Sequence, residues 1–200
     1  MVKDETLNSN YDKLLARVKD LMILQSARGV IGWDTRTKMP PRGIGLRSQQ
    51  LALLSRFIHR LSTDPEIGTL LEKIERHPDH ASLSELQRRN VYLIRKTYDE
   101  ETKLPEKLVV ETARQATVAR DVWVKAKAAK NYSLFKPELA KIIDLRKQAA
   151  DILMDVKKTK TPYDALVDIF EPKMTASQIT PIFSELKTHL MKIIDKCVNS

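Results

Sequence analysis

Apolar positions along this chain recur at the helical period, and no stretch alternates apolar and polar residues as a half-buried strand does. Leu14, Leu15, Val18, Leu21, Met22 and Gln25 share one side of a first helix predicted from about Asn10 to Arg28, which Gly29 and Gly32 end. A second helix begins after Gly45 and carries Leu51, Leu54, Ile58 and Leu61 inward. Asp64 followed by Pro65 is an N-cap with a first-turn proline; it opens a third helix with Leu70, Leu71 and Ile74 as its core, stopped by Pro78. Ser82-Leu83-Ser84-Glu85 reads as a capping box leading into a helix through Leu86, Leu93, Ile94 and Thr97.

The next helix starts at Pro105 and runs to about Lys130. Its narrow stripe of Leu108, Val109, Thr112, Ala116, Ala119, Trp123 and Ala126 suits close packing against a long neighbour. Asn131 breaks the pattern, which resumes after Tyr132-Ser133 with Phe135, Leu139, Ile142, Ile143, Leu145, Ala149, Ile152 and Leu153. These two helices predict an antiparallel hairpin with arms about 35 Å long, projecting from a compact body. Thr161-Pro162 starts a short helix ending at Phe170-Glu171-Pro172, and Thr175-Ala176-Ser177-Gln178 is a second capping box. Pro181 conflicts with that box: either the last helix kinks, or it begins at Thr180 with the proline in its first turn. The expectation is an all-α fold of about eight helices forming a single domain over residues 1–200.

Composition agrees. The 200 residues are 42% hydrophobic, enough for a real core, and the five glycines all lie at or before Gly68, leaving helix formers to dominate the rest. The N-terminus is polar and no apolar run approaches the roughly 20 residues a bilayer span needs, so neither a signal peptide nor a membrane helix is expected and a cytoplasmic location is the default. A single cysteine, Cys197, excludes an intrachain disulfide and fits a reducing compartment. The net charge of +9 raises the question of nucleic acid, but Lys125, Lys127, Lys130, Lys141, Arg146 and Lys147 are interspersed with Glu138, Asp144 and Asp151. Only Lys157-Lys158-Thr159-Lys160 is a tight basic cluster, and a dedicated nucleic-acid role is not expected.

Signals for chemistry are few. The sequence holds no Gly-rich phosphate loop, no Gly-x-Ser-x-Gly elbow and no His-Glu-x-x-His. His77-Pro78-Asp79-His80 gathers two imidazoles and a carboxylate, yet the proline fixes a turn and no third ligand is in view, so a surface turn is expected rather than a metal site. His59 and His189 read as helix-boundary residues, and Cys197, with no His nearby, as an inert thiol. Residues 32–43, GWDTRTKMPPRG, read as a connector: its glycines and prolines turn the chain, Trp33 anchors the turn in the core, and Met39 with Pro40 shapes the entry to the second helix.

Those same residues carry a resemblance. Trp33-Asp34, Met39-Pro40-Pro41, Gly43, Arg47 and Gln50-Leu51-Ala52-Leu53-Leu54 resemble the N-terminal signature of the carboxypeptidase Taq family of zinc metallocarboxypeptidases. Further along, Leu104-Pro105, Ala119-Arg120, Val122-Trp123, Tyr132-Ser133-Leu134-Phe135-Lys136-Pro137, Thr161-Pro162-Tyr163-Asp164-Ala165-Leu166, Phe170-Glu171-Pro172 and Met174-Thr175 follow that family's order and spacing.

The resemblance implies a mostly helical, groove-containing enzyme at least twice this length, a cytoplasmic homodimer that removes single C-terminal residues from peptides with one zinc or cobalt ion. Its metal is held by His-Glu-x-x-His and a later glutamate, all beyond the part represented here, so no catalytic residue, metal ligand or cofactor is expected in this chain. Trp33, Asp34, Arg36, Met39, Pro40 and Arg47 are the candidate groove or structural-motif residues. One departs from the pattern: Arg36 stands where members commonly carry Glu, and Gly45 and Gln49 occupy two other positions that are frequently acidic. A partner of that missing acid would now face a like charge. Three roles follow: the N-terminal part of a carboxypeptidase, inactive alone; one subunit of a split carboxypeptidase, which needs an exposed apolar docking face; or a helical interaction module. Implied partners are a second copy or a separate catalytic chain, with peptide substrate only once the catalytic half is supplied.

Overall fold

The computed structural model describes residues 6–198, and the regular structure among them is helical throughout. In chain order come α1 (Leu7–Thr37), a 3₁₀ turn (Pro41–Gly43), α2 (Ile44–Ser62), α3 (Pro65–Glu75), a second 3₁₀ turn (His80–Ser82), α4 (Glu85–Glu101), α5 (Glu106–Ala128), α6 (Tyr132–Lys157), α7 (Pro162–Val167) and α8 (Ala176–Val198). The all-α class holds, and among the described residues no helix is long and apolar enough to cross a membrane. Contacts gather into two compact units, Met1–Ala149 and Ala150–Ser200.

Local chemistry explains most helix ends. Asp64 accepts the Glu66 N–H at 2.9 Å with Pro65 in the first helical position, as the sequence predicts for α3. The capping box of α4 lies two residues beyond its predicted place. Ser84 Oγ accepts the Gln87 N–H at 3.2 Å, while Gln87 Oε1 accepts the Ser84 N–H at 2.9 Å. Ser82 belongs instead to the 3₁₀ turn, because Leu83 is buried and draws the residue before the cap into the core. At α8 the box is half formed, with the Thr175 N–H donated to Gln178 Oε1 at 2.9 Å. That helix starts at Ala176 and carries Pro181 inside it, which excludes the later start.

The largest correction concerns α1, which passes through Gly29 and Gly32 and ends only at Thr37. Its stop is set by Pro40, which holds an extended ψ of 144°, while the N–H groups of Lys38 and Met39 both close onto the Asp34 carbonyl.

In the unit Met1–Ala149, the main core joins three helices: Leu7, Tyr11 and Leu14 of α1, Ile67, Leu70, Leu71 and Ile74 of α3, and Val91 of α4 with Leu83 before it. Asn90 donates to the Tyr11 hydroxyl at 2.9 Å, satisfying a polar atom at the edge of this cluster. The most extensive helix pairing is α2 with α5. Ser48, Ala52, Ser55, His59 and Ser62 are buried on α2, against Leu108, Gln115, Ala119 and Ala126 on α5. Small residues on both helices permit close approach. The inward face of α2 is therefore rotated from the predicted stripe: Ile58 is buried, but Leu51, Leu54 and Leu61 are half-buried. Helix α5 is a wall of this unit rather than a free arm. It turns into α6 through Lys130, in the left-handed region at φ 49°, with Gln115 donating to Glu138 across the two helices.

In the unit Ala150–Ser200, Ala150 and Leu153 of α6 and Ala165 of α7 are buried. Thr161 caps α7 by accepting the Asp164 N–H at 3.1 Å. Asp164 in turn accepts the Thr161 hydroxyl at 2.8 Å and the Ala176 N–H at 2.7 Å, which ties the start of α7 to the start of α8. Those bonds favour the ionised carboxylate and hold its pKa below the ordinary aspartate value, the Ala176 amide having the larger effect.

Candidate functional site

The stretch from Trp33 to Arg47 is a helix end with a clamp across it. Arg47, in the first turn of α2, reaches back to the last turns of α1, where its guanidinium meets Asp34 Oδ2 at 2.6 Å. The same group donates to the Ile31 carbonyl at 2.9 Å and to the Thr35 hydroxyl at 3.2 Å, and Thr35 donates to that carbonyl at 2.7 Å. All three contacts are made by one nitrogen, Nη1, so this corner of the guanidinium gathers an ion pair and two hydrogen bonds at the end of α1. Met39 is half-buried, and its side chain lies 3.2 Å from where a Cβ on Gly43 would sit, so the glycine leaves room for the methionine to lie over the 3₁₀ turn.

The six candidate residues thus divide. Asp34 and Arg47 are joined, a pairing the sequence reading does not include, and Met39 with Pro40 lies at the connection into α2. Trp33 is not a core anchor: it is 55% exposed on the last turns of α1, because α1 continues through it instead of turning there. Arg36 is also exposed and, among the described residues, has no acidic partner in an ion pair. Replacing an acid at that solvated position strands no buried charge.

The histidines separate in the same way. The His77 ring accepts the Asp79 N–H on Nδ1 at 3.1 Å, closing the turn on itself. Among the described residues no group of three or more His, Cys, Asp or Glu side chains could hold a metal ion. The described residues thus do not make up the ligand set of a metallopeptidase.

His59 is a different case and one the sequence does not reveal. It is buried in the α2–α5 region with Nδ1 3.1 Å from Glu101 Oε2; a carboxylate only accepts, so Nδ1 carries the proton. Beside it Arg60 grips Glu106 with both nitrogens, at 2.6 and 3.3 Å, and Arg56 stands 3.5 Å from the same carboxylate. The Arg60 hydrogen bond holds the Glu106 carboxyl below its usual range. Together these pairs fasten α2 to the junction of α4 and α5. A cleft of about 270 Å³ opens next to them, lined by Ser55, Glu101, Leu108, Thr112, Arg28 and Arg146.

Comparison with known proteins places this arrangement. The family model for carboxypeptidase Taq (M32) metallopeptidase matches residues 13–200. Thermostable carboxypeptidase 1 of Thermus thermophilus is 33% identical, with 98% of this chain and 39% of that protein covered. The solved structure of BsuCP superposes with a TM-score of 0.85 at 27% identity over 94% of this chain and 37% of that one. Pyrococcus furiosus carboxypeptidase follows at a TM-score of 0.75 and 30% identity, over 94% and 36%. The chain therefore spans less than two fifths of the length of these relatives, and over nearly all of its own length it belongs to the carboxypeptidase Taq (M32) family of metallopeptidases.

Proposed function

We propose that this chain is the groove-wall part of a metallocarboxypeptidase fold and releases C-terminal amino acids from peptides only together with the metal-bearing part. The carrying observation is the family match over residues 13–200 in a sequence without His-Glu-x-x-His. Zinc or cobalt belongs, on this reading, to the part that supplies that motif, where it would lower the pKa of bound water and polarise the scissile carbonyl. No catalytic role is assigned to His59, His77 or His80.

A second observation marks a face on which that part would dock, whether it continues this chain or comes as a separate one. Helix α8 has no buried residue among those described, and Phe183, Leu186, Leu190 and Ile193 line up on it at three- and four-residue spacing, all exposed. Such a row suits docking against another apolar surface.

The test is direct. The chain alone, with equimolar zinc or cobalt, is expected to release no amino acid from an N-blocked dipeptide. Mixed with the portion of the Thermus thermophilus relative that this chain does not span, it is expected to raise release above that portion's own level. Chelator-sensitive hydrolysis by the chain alone would overturn the proposal. No gain on mixing would remove the separate-chain reading.

A further inference from the structure

The turn between α5 and α6 combines two features that the function proposed above does not use. Between Asp121 and Glu138 the chain carries four lysines, Lys125, Lys127, Lys130 and Lys136, and no acidic residue. The acids at either end are engaged: Asp121 pairs with Lys125 at 2.6 Å, and Glu138 with Lys141 at 3.0 Å while accepting from Gln115. Lys127, Lys130 and Lys136 are exposed and have no ion pair among the described residues.

Large apolar side chains stand among these charges. Trp123, Val124, Tyr132 and Leu134 are all exposed, and from Trp123 to Leu134 only Ala126 is buried. The Arg60–Glu106 pair and the cleft shared by Ser55, Leu108 and Thr112 set an antiparallel register between α2 and α5. In that register Ile44, the first residue of α2, stands level with about residue 122, so the last turns of α5 run past their cover. Trp123, at the end of the stripe predicted to pack, is exposed for that reason.

The tip is ordered as well as bare. The Lys130 N–H closes on the Lys127 carbonyl at 3.1 Å and the Asn131 N–H on the Ala126 carbonyl at 2.9 Å, while Asn131 Oδ1 accepts the Ser133 N–H at 3.0 Å. Lys127 lies over the Trp123 ring, 5.2 Å from its centroid. At a rise of 1.5 Å per residue, all four apolar side chains sit on backbone within about 8 Å of the turn.

We propose that this tip docks peripherally on an anionic bilayer surface. Indole and phenol rings favour the boundary between headgroups and acyl chains, and side chains at this depth reach the roughly 5 to 10 Å of a surface-bound element. The lysines supply the attraction to anionic headgroups, their stems lying along the apolar surface. No spanning helix is required. A second copy is disfavoured, because two tips would bring like charges together. A nucleic-acid strand is disfavoured because Val124 and Leu134 offer bases no ring to stack on.

The experiment uses the full chain carrying Trp33→Phe, which leaves Trp123 as its single tryptophan. It is mixed with vesicles of phosphatidylcholine, alone or with about 30% phosphatidylserine, and followed by sedimentation and tryptophan emission. Binding at about 1 mM accessible lipid or less, with a blue shift of Trp123, is expected for the anionic vesicles only, and it weakens as salt rises. Lys127→Gln, Lys130→Asn and Lys136→Gln together should weaken binding about a hundredfold, roughly fivefold per lysine. Asparagine suits the left-handed backbone of Lys130 at φ 49°, and unchanged melting temperatures check that the variant folds. Tyr132→Ser with Leu134→Ser should weaken binding about tenfold or more. Absence of binding, equal binding to neutral vesicles, binding without a shift in Trp123 emission, or unchanged affinity in the folded lysine variant overturns the proposal. Binding that survives in both tip variants and is lost in Phe183→Ser with Leu190→Ser assigns the contact to α8 and overturns it too. So does an acidic polypeptide or a single-stranded oligonucleotide that holds the tip against excess anionic vesicles.

Discussion

Replacing Arg47 by Met should shorten α1. Gly29 and Gly32 lie inside that helix with nothing within 4 Å of where a Cβ would be, so they contribute no packing there. Each costs a helix interior about 1 kcal/mol relative to alanine, which leaves the segment beyond Arg28 about 2 kcal/mol short. Arg47 offsets this with its bonds to Asp34, Thr35 and the Ile31 carbonyl. In a fully buried setting each would be worth about 1.5 to 3 kcal/mol. Its side chain is 18% exposed and that of Asp34 is 34% exposed, so solvent lowers the set to about 2 kcal/mol in all. The two quantities are close, and the end of α1 depends on one side chain of α2.

Arg47→Met should therefore lower global stability by about 2 kcal/mol and expose the amides of residues 31–39 selectively to hydrogen exchange. Arg47→Lys keeps the charge and brings three donors on one nitrogen, which is how the arginine makes its contacts, so it should recover more than half of the loss. A double-mutant cycle with Asp34→Asn isolates the ion pair from the carbonyl bond. Uniform loss of protection across all helices, or unchanged protection of residues 31–39, would refute the clamp.

Gly68 in α3 should not tolerate alanine, because a Cβ there would stand 2.6 Å from the Tyr98 hydroxyl and 2.8 Å from its ring carbon. Overpacking of about 1 to 3 kcal/mol outweighs the helix-propensity gain of about 1 kcal/mol, so Gly68→Ala should lower the urea midpoint, and in a Tyr98→Ala background it should raise it. Leu71→Ala, at a position with no exposed surface, should cost about 2 to 5 kcal/mol by equilibrium unfolding, larger than any surface change in the same helix. Asp164 has a folded-state pKa below its ordinary value of 3.8, so its stabilisation is complete above that pH and is lost as pH falls through the lower folded value. Melting curves of wild type and Asp164→Asn should differ most at neutral pH and converge in acid; a constant gap down to pH 2 would contradict the assignment. His77→Ala combined with His80→Ala should leave zinc retention after dialysis unchanged, since among the described residues no group of three or more possible ligands surrounds that turn.

What was legible in the sequence is what neighbours in sequence decide. The Asp64-Pro65 start of α3 depends on residues two apart, and its core of Leu70, Leu71 and Ile74 on a single helical face. The end of α1 depends on Arg47, more than ten residues beyond the carbonyl it holds, so the glycines looked like a stop. Two serines each followed by an acid or amide at the right distance competed for the α4 cap, and only the burial of Leu83 decides between them. The α2 face was misread by counting large apolar residues, when the tight α2–α5 seam is built from Ser48, Ala52, Ser55 and Ser62. His59 meets Glu101 across 42 positions, a separation for which no local pattern gives a signal.

The family signature itself resolves into two physical groups. Asp34 and Arg47 match it because they bind each other, and Gly43 matches it because Met39 occupies the space a side chain would take. These residues keep α1 and α2 at a fixed angle and need no substrate to account for them. Trp33 and Arg36 differ, since nothing in the packing of the helix end requires an exposed indole or an unpaired guanidinium. On the groove-wall reading proposed above, a helix terminus fixed by the clamp and displaying those two groups would serve as a platform for positioning a peptide. The clamp and the display are separable by mutation: Trp33→Ala should leave stability within about 0.5 kcal/mol, as expected of a solvated side chain, whereas Arg47→Met should not.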